Sequence, residues 1–439
     1  MDILEKAQKL LEHYALCDNC LGRQFALLGH GLENKERGEA VKLLLFMEAT
    51  EMTIANEKSA QALLRTLATN GALLAASETL QTQKKRIGRA KQCYLCEGRT
   101  KETEKLAEKA ASLLTKYEFT TFLVGVKLPS SIEEREDELK AKFDLNFSES
   151  LRNELSRTIG KAVSMLTGKE PELKRPDIAV IINPYTEQIT LQVNPLHIAG
   201  RYKKLARGIS QSRWFCRSCH GKGCERCNWT GKMYAESVEE FIASPTLELT
   251  EGETAILHGA GREDIDARML GRGRPFIIEV KAPKKRFIDL KALEKTINER
   301  ASAKVEVRGL RPADKELVRR LKKGETSQKT YHVIVDLDRP VSDDELKNLE
   351  NTLRELTIHQ QTPRRVLHRR ADRVREKYIY EAKVTRLTPD RVRLKVKCQG
   401  GLYVKELVTG DEGRTKPNVA EILGTRATPS ELDVLEVRE

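Results

Sequence analysis

Residues 259 to 276 read Gly259-Ala260-Gly261-Arg262-Glu263-Asp264-Ile265-Asp266-Ala267-Arg268-Met269-Leu270-Gly271-Arg272-Gly273-Arg274-Pro275-Phe276 and run straight into the apolar stretch 276 to 280. Four arginines, four glycines and two aspartates, closed by what reads as a strand, describe a loop that brings backbone and charge against another surface. Glycine lets the backbone approach closely and arginine grips phosphate or carboxylate. A carboxylate among arginines stays ionised and available as a nucleophile. The plainer reading is a polar loop whose salt bridges tie two elements together, and charge density by itself does not separate the two.

At 439 residues the chain exceeds what one hydrophobic core supports, so two or three domains are expected. Lys and Arg number 78 against 65 Asp and Glu, and the resulting charge of +13 with a pI near 9.2 favours a polyanionic partner, nucleic acid before an acidic protein. No run approaches the roughly 20 apolar residues that cross a bilayer. The N-terminal segment MDILEKAQKLLEHYAL is mixed in charge rather than signal-like. A cytoplasmic protein with no membrane partner is therefore expected, and nothing in the pattern demands more than a monomer.

Eight of the nine cysteines fall into four CxxC pairs, a spacing that suits metal in a reducing compartment better than disulfides. Cys216, Cys219, Cys224 and Cys227 lie close together with glycines between them, the most specific local signal in the chain, and predict one structural zinc held by four thiolates. His220 is then a bystander. Cys17 and Cys20 are far from Cys93 and Cys96, so a second zinc set requires folding to bring them together; two unrelated buried pairs is the alternative. Cys398 ends the alternation Val392, Leu394, Val396, which predicts a strand with a buried face and places this cysteine in a core.

Periodicity gives an α+β chain. Residues 1 to 104 read mainly as helix. Residues 105 to 235 read as an α+β module ending in the zinc knuckle, with strands over 121 to 128, 178 to 182 and 189 to 193 and a helix striped by Leu151, Leu155, Ile159 and Val163. Residues 236 to 439 form a further domain. Its helices are marked by Leu290, Leu293 and Ile297, by Leu317, Val318 and Leu321, and by Leu346, Leu349, Leu353 and Leu356, and a strand is expected over 331 to 337.

The stretch GREDIDARMLGRGRPF resembles the catalytic signature of tRNA pseudouridine synthases of the Pus-ten type, the archaeal branch in particular. KTYHVIV at 329 to 335, QTPRRVLHRRADRVREK at 361 to 377 and GGLYVKELVTGDEGRTKPN at 400 to 418 agree with it in order. The resemblance implies a pseudouridine synthase catalytic domain with a central antiparallel or mixed sheet, acting without an organic cofactor on the TΨC arm of tRNA, at position 55 with 54 as a second site. It implies Asp264 as nucleophile or base, with Asp266 the runner-up and Glu263 pointing away. Tyr331 would stack on the base, Lys405 would pair with the carboxylate beside Tyr403, and Leu407 would pack against the site.

Residues 175 to 209 are similar to the end of THUMP-type RNA-binding domains, which implies RNA contacts from Arg201, Lys203 and Lys204. Further contacts are expected from Arg262 and Arg268, from the basic run containing Arg364, Arg365, His368, Arg369 and Arg370, and from Arg414 and Lys416. With RNA capture assigned to the N-terminal half, deletion through Trp229 is expected to cost affinity more than fold. Two other readings stand beside this one. Another THUMP-containing tRNA-modifying enzyme lacks support, because no glycine-rich nucleotide loop follows a strand in the C-terminal half. A non-catalytic zinc-containing tRNA-binding protein is opposed by the aspartate, tyrosine and lysine at the matching positions.

Overall fold

The computed structural model describes residues 2–322 and 328–438. The chain divides into two units, Met1–Asn194 and Pro195–Glu439.

In the first unit, helices that include Ile3–His13, Asn34–Ile54, Ala60–Thr69 and Thr103–Leu114 precede β1 (Thr121–Val126). Helices Ser130–Phe143 and Leu151–Thr167 then lead to β2 (Glu170–Pro171), β3 (Ile178–Asn183) and β4 (Gln188–Val193), in the sheet order β2-β1-β3-β4. Every second residue of β1 and β3 is buried, because a pleated strand turns alternate side chains to one face. The expected stripe Leu151, Leu155, Ile159 and Val163 is fully buried. Leu10, Leu64 and Leu106 from the helical region join Phe122, Ile159 and Ile182 in one apolar cluster. The helical region and the α+β region thus share a core, and the change of pattern at residue 104 does not separate compact units.

The second unit is built on one mixed sheet. Its strands are β5 (Leu196–Lys204), β6 (Thr254–Gly259), β7 (Arg268–Lys281), β8 (Val305–Ala313), β9 (Gln328–Leu337), β10 (Leu356–Gln361), β11 (Val374–Thr388), β12 (Arg391–Gln399), β13 (Thr415–Lys416) and β14 (Ala427–Val437). The order is β13-β10-β11-β12-β9-β14-β7-β5-β8, with β6 also on β7. β14 and β7 run parallel, while β9 is antiparallel to both β12 and β14. The α+β class with a mixed central sheet is as expected. In β12 the alternation predicted from Val392 to Cys398 holds, all four residues being buried.

Two expectations are corrected. The segment read as a THUMP-like basic turn, Gly200 to Lys204, is the end of β5, which lies between β7 and β8 in the large sheet. Its backbone therefore belongs to the second unit, and the boundary expected at residue 235 falls instead at Asn194. Leu356 is not on a helix: the helix ends at Leu353, and Leu356 opens β10 after Glu355 at φ +52°.

One edge of β7 crosses from β14, paired at Arg268 and Met269, to β6, paired from Phe276 onward, while β5 pairs with the other edge at Met269 and from Arg274 to Val280. Gly271 and Gly273 sit at the crossing with φ of +55° and +74°, and a Cβ there would lie 2.0 Å from the Leu435 carbonyl oxygen and 2.8 Å from that of Tyr202. Close approach of backbone to backbone explains these glycines. Among the described residues no helix is long and apolar enough to cross a membrane.

Because β5 supplies the buried Ile198 and Tyr202 to the second core, each side chain contributing about 1.5–3 kcal/mol by burial, deletion through Trp229 removes a central strand. A chain beginning at Pro195 is expected to unfold cooperatively on heating, followed by circular dichroism. One beginning at Thr230 should show no cooperative transition.

Candidate active site

The loop between β6 and β7 is held by its carbonyl oxygens. Lys204, fully buried at the end of β5, donates to the carbonyls of Asp264 at 3.0 Å, Ile265 at 2.9 Å and Ile209 at 2.8 Å. Arg207 donates to Asp266 O at 2.8 Å, Gln211 to Gly261 O at 2.9 Å and Arg274 to Ala260 O at 2.7 Å. Beneath the loop the Glu263 carboxylate, with 0% of its side chain exposed, accepts from Arg274 Nε at 2.7 Å and from the Tyr202 hydroxyl at 3.0 Å. Glu263 thus turns into the fold. Burial lowers the Lys204 pKa to about 8, against the pull of Glu263, Asp266 and Asp264.

Asp264 faces a cleft of about 460 Å³. Arg365 Nη1 lies 3.3 Å from its Oδ2 and Lys405 Nζ 3.6 Å from the same oxygen. Lys405 is closer to Asp266, at 2.6 and 2.8 Å to its two oxygens. Burial works against ionisation of Asp266, but the Lys405 ammonium outweighs it and holds that carboxyl below the usual range. The lysine paired by resemblance with Asp264 is therefore shared between two carboxylates. Arg365 is fixed from behind by Glu406, whose buried carboxylate takes Nε at 2.6 Å.

Tyr331 and Lys329 lie on one face of β9 and line the cleft opposite the loop. Burial pushes the Tyr331 phenol pKa up, so the hydroxyl keeps its proton. Burial, then the nearby Arg274 charge, lowers that of Lys329 to about 8. Tyr403 completes the wall: its backbone N–H donates to Gln360 Oε1 at 2.8 Å, its carbonyl accepts from Gln360 Nε2 at 3.0 Å, and its hydroxyl accepts from Arg370 at 3.1 Å. Leu402, Val404, Leu432 and Val434 supply the apolar surface.

Several residues read from the sequence as site or RNA contacts are otherwise engaged. Lys204 cannot reach a phosphate, because it is fully buried beneath the loop. Arg201 donates to the carbonyls of Arg272, Gly273 and Val437, and Lys203 pairs with Glu306 at 3.1 Å. Arg268 makes a two-pronged pair with Asp433 at 2.9 and 2.7 Å, and Arg414 donates to Thr362 O and Asp372. Leu407 is buried in the core behind the cleft, and Leu402 and Leu432 are leucines on its wall. Arg262, Arg364, His368, Arg370 and Lys416 are exposed; the side chain of Arg369 lies outside the described residues.

Sequence reading missed Lys329, Glu406, Arg207 and Gln211 as parts of this site. Lys329 had a signal, standing two residues before Tyr331 on one strand face. Arg207 and Gln211 act on the loop, and Glu406 on Arg365, from distant segments, and had none.

Each cysteine set is brought together. The four Sγ atoms of Cys17, Cys20, Cys93 and Cys96, and those of Cys216, Cys219, Cys224 and Cys227, all lie within 4.8 Å of one another within their set. Separations of 3.6 Å for Cys17–Cys96 and 3.7–3.9 Å in the second set match the roughly 3.8 Å edge of a tetrahedron with metal–sulfur bonds of about 2.3 Å. Both groups can hold a metal ion.

A carboxylate between two cations, facing tyrosines across a cleft with arginines at its rim, is an arrangement suited to carboxylate chemistry on a polyanion. Known relatives specify which. The family model described as Pus10, C-terminal, matches residues 197–438, and that described as Pus10 THUMP domain, archaeal, matches residues 106–183. The tRNA pseudouridine synthase Pus10 of Methanothrix thermoacetophila is 41% identical over 99% of this chain and 94% of its own. That of Methanocaldococcus jannaschii is 44% identical over 98% and 94%. Among solved structures, a Cbf5-Nop10-Gar1 complex aligns over 44% of this chain and 43% of its own at 16% identity and a TM-score of 0.28, too weak a superposition to argue from. The chain belongs to the Pus10 family of tRNA pseudouridine synthases and is an isomerase.

Lys204→Met removes the side-chain donor shared by the carbonyls of Ile209, Asp264 and Ile265, of which the last two keep the backbone N–H of Ala267 and Gly208, at about 1–3 kcal/mol. Urea unfolding should show that loss, and the single-turnover rate of pseudouridine formation should fall at least tenfold while tRNA affinity holds. Elemental analysis of the purified chain is expected to find close to two metal ions, and Cys216→Ser to remove one of them.

Proposed function

We propose that this chain isomerises uridine to pseudouridine in the TΨC arm of tRNA, at position 55 and also at 54, with Asp264 as the nucleophile or base. It acts in the cytoplasm as a monomer, without an organic cofactor. Zinc is the ion of both cysteine sets, since four thiolates at tetrahedral spacing suit it. The observation that carries the reading is the placement of Asp264, solvent-reachable in the cleft and flanked by Arg365 at 3.3 Å and Lys405 at 3.6 Å.

The reaction breaks the bond between uracil N1 and C1′, turns the base and rejoins it through C5, whose proton leaves while N1 takes one up. A carboxylate below the sugar either attacks C1′ or takes a proton from C2′, and the two cations keep it charged and aimed. From the wall of the cleft Tyr331 stacks on the extruded base, and its hydroxyl assists removal of the C5 proton. Leu432 and Val434 keep water from the reacting face. The exposed Arg262, Arg364, Arg370 and Lys416 meet phosphates around the cleft.

Asp264→Asn and Asp264→Ala should abolish pseudouridine formation on an unmodified tRNA transcript, mapped by site, with affinity changed by no more than a few fold. Asp266→Asn should be milder, and Lys405→Ala intermediate. Wild-type rates from Asp264→Ala, or a dead Asp266→Asn beside an active Asp264→Asn, would reassign the carboxylate.

A further inference from the structure

Residues 213 to 232 fold around Cys216, Cys219, Cys224 and Cys227 and hold two large aromatics at the surface, Trp229 with 73% and Phe215 with 51% of its area exposed. A single exposed aromatic means little. Here two share one short loop that carries five basic residues, Arg213, Arg217, Lys222, Arg226 and Lys232, against one acidic residue, Glu225. The guanidinium of Arg213 lies over the Phe215 ring, 4.7 Å from its centroid, and adds a second flat cationic surface.

The backbone is bent to present the indole. Asn228 and Trp229 both take left-handed φ, at 48° and 59°, a conformation that costs a bulky residue of order 1–3 kcal/mol. The loop enforces it: Trp229 N–H donates to Cys224 O at 2.9 Å, and Gly223 opposite leaves room that a Cβ, 2.9 Å from Trp229 O, would close. The loop is also linked to the cleft through Trp214 and Arg262. Trp214, next to Phe215, stacks edge-on to Tyr234 at 5.7 Å and carries the guanidinium of Arg262, which lines the cleft, 5.1 Å above its own ring.

We propose that this cysteine-bound loop is a second RNA-binding surface, on which Trp229 stacks an unpaired nucleobase of the substrate while Lys222 and Arg226 meet its phosphates. The proposal rests on the reading of the chain as an enzyme of tRNA. A flat apolar face beside dispersed positive charge fits sequence-tolerant stacking of single-stranded nucleotides. Uncharged stacking and charged phosphate contact are separable by salt.

Trp214 and Trp229 are the two tryptophans of the chain, so a Trp214→Phe protein reports Trp229 alone. Its emission should be quenched on saturation with a tRNA transcript. In the otherwise native protein, Trp229→Ala should raise the tRNA dissociation constant roughly 5- to 150-fold, the range for loss of one stacked base, with the salt dependence unchanged. Trp229→Phe should restore most of the affinity, and Lys222→Ala with Arg226→Ala should lower the slope of log affinity against log salt by about two. Metal content and melting temperature certify the variants. Should Trp229→Ala lose its metal, the fluorescence measurement decides alone. Unquenched emission at saturating tRNA, or affinity within twofold in a metal-loaded Trp229→Ala protein, overturns the proposal. These are binding readouts, so they stand apart from the pseudouridine assay; tRNA bound and quenched without isomerisation would refute the enzyme reading and leave the surface intact.

Discussion

Glu263 and Arg274 meet at 2.7 Å with 0% and 1% of their side chains exposed, and the position of the cleft depends on that pair. Two charges withdrawn from water are costly unless each is fully bonded, and loss of one partner from such a pair costs about 3–5 kcal/mol. Tyr202 supplies the remaining donor to Glu263, and Arg274 uses a second nitrogen on Ala260 O. The pair therefore ties three things together: the loop through Glu263, β7 through Arg274 and β5 through Tyr202. With Glu263 drawn inward, its neighbour Asp264 turns outward. Lys204 fixes the same loop through its carbonyls, so the carboxylate that faces the cleft is held at both the side-chain and the backbone level.

This arrangement divides the positive charge of the chain. An arginine fork suits carbonyls and carboxylates as well as phosphates, and Arg201, Arg207, Arg268, Arg274 and Arg414 are used within the fold. Arg365 is used on Glu406 and Asp264 at the site itself. The exposed Arg262, Arg364, His368, Arg370 and Lys416 remain on the surface, so the net charge of +13 overstates what an RNA can reach. The same separation applies to the aromatics: Tyr202 is buried in the frame while Trp229 stands out from a loop with almost no apolar core. Metal ligation can replace such a core, because the binding free energy of the ion becomes folding free energy.

The chain itself determined the elements and the chemistry that depends on residue type and short spacing. Alternation placed β1, β3 and β12, periodicity placed the helix at Leu151–Thr167, and the compact CxxC pairs marked a metal group, because these patterns act over a few residues. The gathering of Cys17 and Cys20 with Cys93 and Cys96 and the approach of Lys405 and Arg365 to Asp264 were decided by packing, as was the placing of Leu402 and Leu432 on the cleft wall with Leu407 in the core behind it. So was the fate of the basic segment at β5. Its Arg201, Lys203 and Lys204 have the composition of an RNA-binding turn, and no local rule distinguishes that from the middle of a sheet. Pairing with β7 and β8 surrounds Lys204 with carbonyls and buries it, because a charge that finds three oxygens inside the fold is no longer exposed to a phosphate outside it.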